Sequence, residues 1–180
     1  MRRKQLEAKF LLTQLLAILG AVLYFLSYQC RDNRRLYTMQ FFSYLVYTVH
    51  FLILGAMTGG FSYILNLARS LFLSSKWKFA RSAKMCAILC FMQIIVLVTT
   101  WAGWISLLPI CANIALTIGG YTHNAQKIRI AGIFINSPLW IIYDLIIGSW
   151  AGAVDELASM ASGIISIRRY GWKNLNKTDD

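Results

Sequence analysis

Charged residues are few and unevenly placed in this sequence. They make up 14% of its 180 residues, against about 25% in soluble domains. No Asp, Glu, Lys or Arg occurs in 10–30, 36–68 or 85–126. Since 58% of the residues are hydrophobic, the composition excludes a disordered chain or a fibrous protein and argues against a soluble domain. The long uncharged runs instead predict helices that span a membrane.

Metal-binding and catalytic patterns are also missing. The four cysteines have no Cys-x-x-Cys spacing, and two histidines are too few to complete a structural zinc site. The sequence contains no Gly-rich phosphate loop, no His-Glu-x-x-His and no Gly-x-Ser-x-Gly. We therefore predict no catalytic residue, no metal site and no cofactor, and we do not expect an enzyme.

The uncharged runs have lengths that suit membrane spans. A bilayer core requires about 20 apolar residues in a helix, so the runs 36–68 and 85–126 are each long enough for two helices. We divide them at 55–60 and at 101–104, where glycines and tryptophans cluster. The sequence thus predicts an all-α, polytopic membrane domain over residues 1–180, with seven transmembrane helices at 11–29, 36–54, 59–75, 85–101, 104–121, 129–147 and 151–168.

Basic residues dominate the charge and indicate the orientation of the chain. A net charge of +11 in a soluble protein would suggest nucleic-acid binding, but here the basic residues lie between apolar runs, so we expect no nucleic-acid partner. Cytoplasmic loops carry excess Lys and Arg, which places the C-terminus in the cytoplasm and the N-terminus outside, although residues 2–9 oppose this orientation. The thirteen residues that carry the prediction are Arg31, Arg34, Arg35, Lys76, Lys78, Arg81, Lys84, Lys127, Arg129, Arg168, Arg169, Lys173 and Lys177.

The two ends of the chain are similar at an offset of 93 residues. Gly55 then coincides with Gly148 and Gly59 with Gly152. Polar faces recur in the same register: Ser43, Tyr47 and His50 correspond to Asn136, Trp140 and Tyr143, and Ser62, Asn66 and Arg69 correspond to Asp155, Ser159 and Ser162. We therefore predict two parallel three-helix units, 11–75 and 104–168, joined by a linker helix at 85–101, which is an arrangement found in transporters.

Four polar residues inside the predicted spans are candidates for substrate binding. Asn66, Arg69, Asn113 and Asn136 lie in the middle or in the cytoplasmic half of their helices. Polar groups in hydrocarbon are costly, so such residues point inward and often mark a pathway. Two structural alternatives remain open: each asparagine can join neighbouring helices, and Arg69 can extend to the lipid headgroups.

Other ionisable residues lie near the outer side of the predicted bundle. His50 and Asp144 are candidate gating residues, with a packed histidine as the alternative. Asp155 and Glu156 have the position expected for carboxylates at the start of helix 7, where they would stabilise the helix dipole. Arg69 has no carboxylate on its own side of the membrane and offers a fork for carboxylate or phosphate, so we predict an anionic solute.

Several short segments resemble a known family. The sequence resembles the YgjV-like family of bacterial inner-membrane proteins in four places: VHFLILG at 49–55, ILNLAR at 64–69, RDNRR at 31–35 and Gln40. The resemblance implies a multi-pass protein of the bacterial inner membrane. The 3+1+3 layout is more distantly similar to the SWEET and PnuC classes of transporters. Asn66 matches the type of position on helix 3 where SWEET proteins place a substrate asparagine, and Ser159 departs from the second asparagine of that pair.

Together these features predict a transporter or facilitator of a small solute with a central polar cavity. The repeat and the converging polar faces favour this function. The alternative is a helical membrane protein without transport activity, acting as an assembly factor, scaffold or sensor. The expected partners are membrane lipid and an unidentified solute, and the sequence leaves a homo-oligomer open.

Overall fold

A computed structural model describes residues 2–30 and 32–175, including the side chains of 10–30, 32–173 and 175. This part of the chain folds into seven long helices, and each predicted helix is confirmed. Helix α1 begins at Arg2 rather than at residue 11, since Lys, Arg, Gln and Glu favour helix as well as apolar residues do. The helices are α1 (Arg2–Gln29), α2 (Asn33–Leu54), α3 (Met57–Ser74), α4 (Ala83–Thr99), α5 (Leu107–Tyr121), α6 (Ala125–Ile147) and α7 (Trp150–Tyr170).

The helices begin and end where local groups satisfy the backbone. Asp32, Ser82 and Asn124 precede α2, α4 and α6, and their side-chain oxygens accept hydrogen bonds from N–H groups of the first turn. Gly55 and Gly148 end α2 and α6, both with φ of 78°, a left-handed conformation that glycine adopts without strain. Tight turns therefore connect α2 to α3 and α6 to α7.

Helix α6 contains an irregular segment that the sequence analysis did not predict. Gly132–Asn136 is π-helical, and the N–H of Ser137 donates to the carbonyl of Gly132, five residues earlier. The wide turn lies directly before Pro138, which has no N–H to donate and disturbs the regular pattern. Such segments are frequent at functional sites, and Asn136 lies within this one.

Six of the helices form a closed ring. Helix α2 packs between α1 and α3, and α6 packs between α5 and α7. The ring closes through two further contacts, α3 on α5 and α7 on α1. Helix α4 packs against α3 and α5 from outside and buries one face with Met85, Leu89 and Gln93.

The centre of the ring is rich in aromatic side chains. Phe51 and Tyr63 stack with ring centroids 5.2 Å apart, and Trp140 lies 4.8 Å from Tyr63. Tyr47 stacks on Tyr63 at 5.3 Å. Because these rings come from α2, α3 and α6, they join both halves of the ring.

The surface of the bundle is apolar, and the interior is unusually polar. Val98 and Phe134 are each 72% exposed, whereas Arg69, Arg129 and Asp155 are buried, the reverse of what is usual for a protein in water.

By length and composition four segments can cross a membrane: Phe10–Gln29, Asn33–Leu54, Trp104–Tyr121 and Ala125–Ile147. Helix α4 is apolar but has 17 residues, and α3 and α7 carry polar faces turned inward.

Candidate functional site

The contact between α3 and α5 contains three of the four predicted binding residues. Asn66 Nδ2 donates to Asn113 Oδ1 at 2.8 Å, and Trp140 Nε1 donates to the same oxygen at 3.3 Å. Asn113 is completely buried, and its Nδ2 has no partner among the described residues. The pair is thus held by hydrogen bonds from three helices and keeps one free donor.

Arg69 lies one turn along α3 from Asn66 and also points inward. Its guanidinium donates to Tyr44 OH at 2.9 Å and to Thr117 Oγ1 at 3.3 Å, and its charge lies 5.5 Å from the centre of the Tyr44 ring. The side chain is 1% exposed, so the alternative in which it extends to the headgroups is wrong. Within the described part of the chain no carboxylate forms an ion pair with it. A guanidinium has five N–H groups, so donors remain for a ligand.

We call the residues along this contact, Asn66, Arg69, Asn113 and Thr117, the arginine seam. Asn136, the fourth predicted residue, is buried in the π segment of α6, and its Oδ1 has no partner among the described residues. It makes no hydrogen bond to the arginine seam within the described chain. The structure therefore brings three of the four predicted residues together.

Two cavities lie at the ends of the arginine seam. The first, of about 580 Å³, is lined at the turn after α2 by Thr58, Thr100, Ser106 and Tyr143 among others. The second, of about 520 Å³, lies among the basic loops at the other end of the bundle, which we call the basic end, and Ser74 is part of its lining. Thr58 lines the first cavity and Leu73 the second, and both lie on the buried face of α3 that also holds Asn66 and Arg69, so this face runs between the two cavities.

Each cavity has a tyrosine in its lining. Tyr143 lines the first cavity, and its hydroxyl accepts a hydrogen bond from the N–H of Gly59 at 3.2 Å. Tyr37 lines the second, and its hydroxyl lies 3.5 Å from the carbonyl of Gly120. Both side chains are buried, as are the four residues of the seam, so the seam is not open to solvent in this conformation.

A second polar contact joins α7 to α1 and α2. Asp155 accepts a hydrogen bond from Tyr47 OH and another from Ser159 Oγ at 3.2 Å. Ser162 Oγ donates to the carbonyl of Phe25 at 2.9 Å and accepts from Gln29 Nε2 at 2.7 Å. We call Asp155, Glu156, Ser159 and Ser162 the acidic seam.

The two carboxylates of the acidic seam correct an expectation. Helix α7 begins at Trp150, so Asp155 and Glu156 lie in its second turn and not at its N-terminus. Both are buried, and one oxygen of Glu156 has no partner in the described structure. The predicted role at the helix dipole is therefore wrong, because that stabilisation is confined to the first turn.

The predicted gating residues meet through Ser149. His50 Nδ1 lies 2.7 Å from the carbonyl of Thr13 and His50 Nε2 lies 2.9 Å from Ser149 Oγ. Asp144 contacts Ser149 as well: the N–H of Ser149 donates to the Asp144 carbonyl at 2.8 Å, and the two side chains both border Gly152. His50 and Asp144 are both buried, and this arrangement is compatible with packing as well as with gating.

Comparison with known families gives the origin of the chain. The family described as "Bacterial inner membrane protein" (Imp-YgjV) matches residues 11–174. The chain belongs to this YgjV-like family. No curated protein and no solved structure matches it. The resemblance inferred from the short segments is thus confirmed, and with the apolar helices the membership fits a protein of the bacterial inner membrane.

This family member also buries an arginine that sequence reasoning assigned to a loop. Arg129 is 1% exposed and donates to Ser166 Oγ at 2.9 Å, to the carbonyl of Ala125 at 3.2 Å and to that of Tyr28 at 3.5 Å. It therefore links α6, α7 and α1, and its assignment to the loop after α5 is wrong. The capping residue Asn124 was the missed signal, because it places Arg129 in the second turn of a helix.

Metal ligands do not gather anywhere in the described part of this family member. No group of three or more His, Cys, Asp or Glu residues there has a suitable arrangement, and Cys30, Cys86, Cys90 and Cys111 are free thiols. The chemistry offered by the site is therefore hydrogen bonding and charge attraction by amides, hydroxyls, carboxylates and one guanidinium.

Proposed function

We propose that the protein transports a small solute across the inner membrane and that the arginine seam is its path. Seven spans in two parallel units would carry the path, and the basic end would face the cytoplasm, since cytoplasmic loops are rich in Lys and Arg. The conformation described above is then the state closed on both sides. The observation that carries the proposal is the face of α3, on which Ser62, Asn66 and Arg69 lie between two cavities.

The cost of burying Arg69 supports this function over a purely structural one. A charged residue within the membrane costs at least about 2.5–3.5 kcal/mol. Two hydrogen bonds and an aromatic face are modest compensation for a guanidinium without an ion pair. A role in binding explains why such a group is present at the end of the Asn66–Asn113 pair.

The local geometry at positions 93 residues apart supports two related units. A methyl group added to Gly59 would meet Phe51 at 3.2 Å, and one added to Gly152 would meet Asp144, the residue 93 positions after Phe51, at 2.8 Å. The residues after the two turn glycines also agree, since Ala56 has φ −82° and ψ 73° and Ser149 has φ −87° and ψ 68°.

The contacts between helices support the same proposal. Tyr47 packs against Gly20 of α1, and its counterpart Trp140 bonds to Asn113 of α5, the counterpart of Gly20. The ring contact of α3 with α5 likewise corresponds to that of α7 with α1. A two-fold axis along the membrane normal, with α4 outside both units, accounts for these pairs.

Arg69 also indicates the class of solute. A guanidinium binds carboxylate or phosphate through two parallel hydrogen bonds, and the asparagines beside it supply neutral donors. We therefore infer an anionic solute that enters from either cavity and displaces Tyr44 or Thr117 from Arg69.

A structural role remains the second candidate, and one observation favours it. Asn66, Asn113 and Trp140 bind one another, as expected for residues that hold α3, α5 and α6 together. Under this alternative the protein would be a scaffold or assembly factor, and Arg69 would serve only to order Tyr44 and Thr117.

Uptake by sealed vesicles separates the two functions. Purified protein in vesicles would be exposed to a labelled mixture of small carboxylates and phosphate esters, with accumulation read by mass spectrometry. We expect uptake by the wild type, none by Arg69→Gln and weakened uptake by Arg69→Lys, with Arg168→Gln, an exposed arginine, as control. No uptake by the wild type would leave the structural role, and normal uptake by Arg69→Gln would overturn the assignment of the path.

A further inference from the structure

The cavity at the basic end is built by three connecting segments. Arg34 Nε, at the start of α2, donates to the carbonyl of Ser74 at 2.9 Å. His123 Nε2, after α5, donates to the carbonyl of Arg81 at 3.0 Å. These bonds join the connections α1–α2, α3–α4 and α5–α6 around one space of about 520 Å³, so the cavity is a feature of the fold and not of one loop.

The lining of this cavity is strongly cationic. Arg34, Lys76 and Arg81 contribute three positive charges, and Asp32 contributes the one carboxylate of the described lining. Asp32 Oδ1 accepts a hydrogen bond from the N–H of Arg34 at 2.9 Å and caps α2, so part of its capacity is used. A concave surface with charges of one sign concentrates ligands of the opposite sign.

His123 is held in an uncommon backbone conformation at the same wall. Its φ is 52°, and it is the one non-glycine residue with positive φ in the described chain. Backbone strain of this kind persists where the surroundings require it and concentrates at ligand sites. Here the conformation brings the imidazole to the cavity and to the carbonyl of Arg81.

The cavity is separate from Arg69. Leu73, one turn beyond Arg69 on α3, and Tyr37 are both buried and line the inner side of the cavity. A ligand in the cavity therefore contacts Arg34, Lys76 and Arg81 without reaching the seam in this conformation.

We propose that the cavity at the basic end binds a phosphate group. Two guanidinium groups and an ammonium suit the charge and the several oxygens of phosphate, and the volume is within the usual range for small-molecule sites, about 300–1,000 Å³. The phosphate belongs either to a soluble phosphate ester or to an anionic phospholipid headgroup, because the cavity lies at the end of the bundle where headgroups would be. This inference goes beyond the proposed function, since binding here requires no transport.

Binding to the purified full chain in nanodiscs of phosphatidylcholine tests the site with inorganic phosphate. We expect saturable binding, weakened at least tenfold in the double variant Lys76→Gln/Arg81→Gln. Lys78→Gln is the matched control, because Lys78 is an exposed lysine of the same connection that is outside the lining. It should bind within twofold of the wild type.

A second arm identifies the source of the phosphate group. If the ligand is a headgroup, native mass spectrometry with phosphatidylglycerol would show a lipid that the wild type retains and the double variant loses. The same lipid would displace inorganic phosphate. Phosphate binding without a retained lipid indicates a soluble ester. Binding of neither probe, or equal losses in the double variant and Lys78→Gln, overturns the proposal. Because binding is the readout, failure here is distinguishable from failure of uptake.

Discussion

The two seams of the bundle, which the proposed repeat would place in equivalent positions, differ in chemistry. Residues 93 apart pair Ser62 with Asp155, Tyr63 with Glu156, and Arg69 with Ser162. The arginine seam thus has one cation among neutral groups, and the acidic seam has two carboxylates among hydroxyls. The two seams therefore carry opposite charges, which indicates that they have different functions.

The satisfaction of hydrogen bonds differs in the same way. Ser162 of the acidic seam is bonded to Phe25 and Gln29 of the neighbouring α1, so it holds these helices together, and one oxygen of Glu156 is the atom of this seam without a partner in the described structure. Arg69 and Asn113 of the arginine seam keep unused donors. We therefore propose that the acidic seam mainly stabilises the bundle and that the arginine seam binds the solute.

The two buried arginines give the strongest test of this comparison. Arg129→Gln removes charged hydrogen bonds that join α6 to α1 and α7, so we expect a loss of about 3 kcal/mol in unfolding free energy. Arg69→Gln should cost about 1 kcal/mol while abolishing uptake. Thermal denaturation in detergent, measured beside uptake, checks both. Equal destabilisation by the two substitutions would contradict the division of roles.

The paired glycines test the close approach of helices in the two units. A methyl group on Gly152 would lie 2.5–2.8 Å from the polar atoms of Ser149 and Asp144, whereas on Gly59 it would lie 3.1 Å from the Tyr143 ring. We expect Gly152→Ala to lower stability by about 2 kcal/mol and Gly59→Ala by less. Melting temperatures of the two variants give the comparison, and the reverse order would show that the α6–α7 turn is the more adaptable.

Two tyrosines on α2 allow a finer comparison. Tyr47→Phe leaves Asp155 with the hydrogen bond from Ser159, and Tyr44→Phe leaves Arg69 with its bond to Thr117. We expect Tyr47→Phe to cost about 1–2 kcal/mol and Tyr44→Phe less than about 1, because Arg69 retains its bond to Thr117. Chemical denaturation would resolve the difference, and identical costs would argue that both hydroxyls serve packing alone.

Reporter fusions test the assignment of the basic end without altering either seam. Fusions after Lys76 and after Arg169 should report the cytoplasm, and one after Gly55 should report the outside, since basic loops stay inside. A periplasmic signal from Lys76 would reverse the direction of the proposed path and place the phosphate cavity in the periplasm.

The helices were predictable because their ends carry local signals. Glycines mark the turns after α2 and α6, and charged clusters mark the basic end. The π segment was not predictable, because it depends on how the backbone adjusts before Pro138 within a packed helix. Arg129 was misplaced for a related reason: a charge was taken as the edge of a helix, although a cap placed that edge earlier.

The seams were only partly predictable. The common face of Ser62, Asn66 and Arg69 follows from helical spacing, and the structure confirms that it points inward. The sequence does not show which helices are neighbours in the ring. The contacts Asn66–Asn113 and Asp155–Tyr47 depend on that arrangement. No local pattern contains that information, and the similarity of the two units indicates it only indirectly.

The ring of helices has a consequence for assembly. Because it closes through α3 with α5 and through α7 with α1, a chain cut between Thr99 and Trp104 would yield two fragments, each with two unsatisfied edges that match those of the other. Such fragments, produced separately in one cell, should associate in the bilayer and restore the complete bundle.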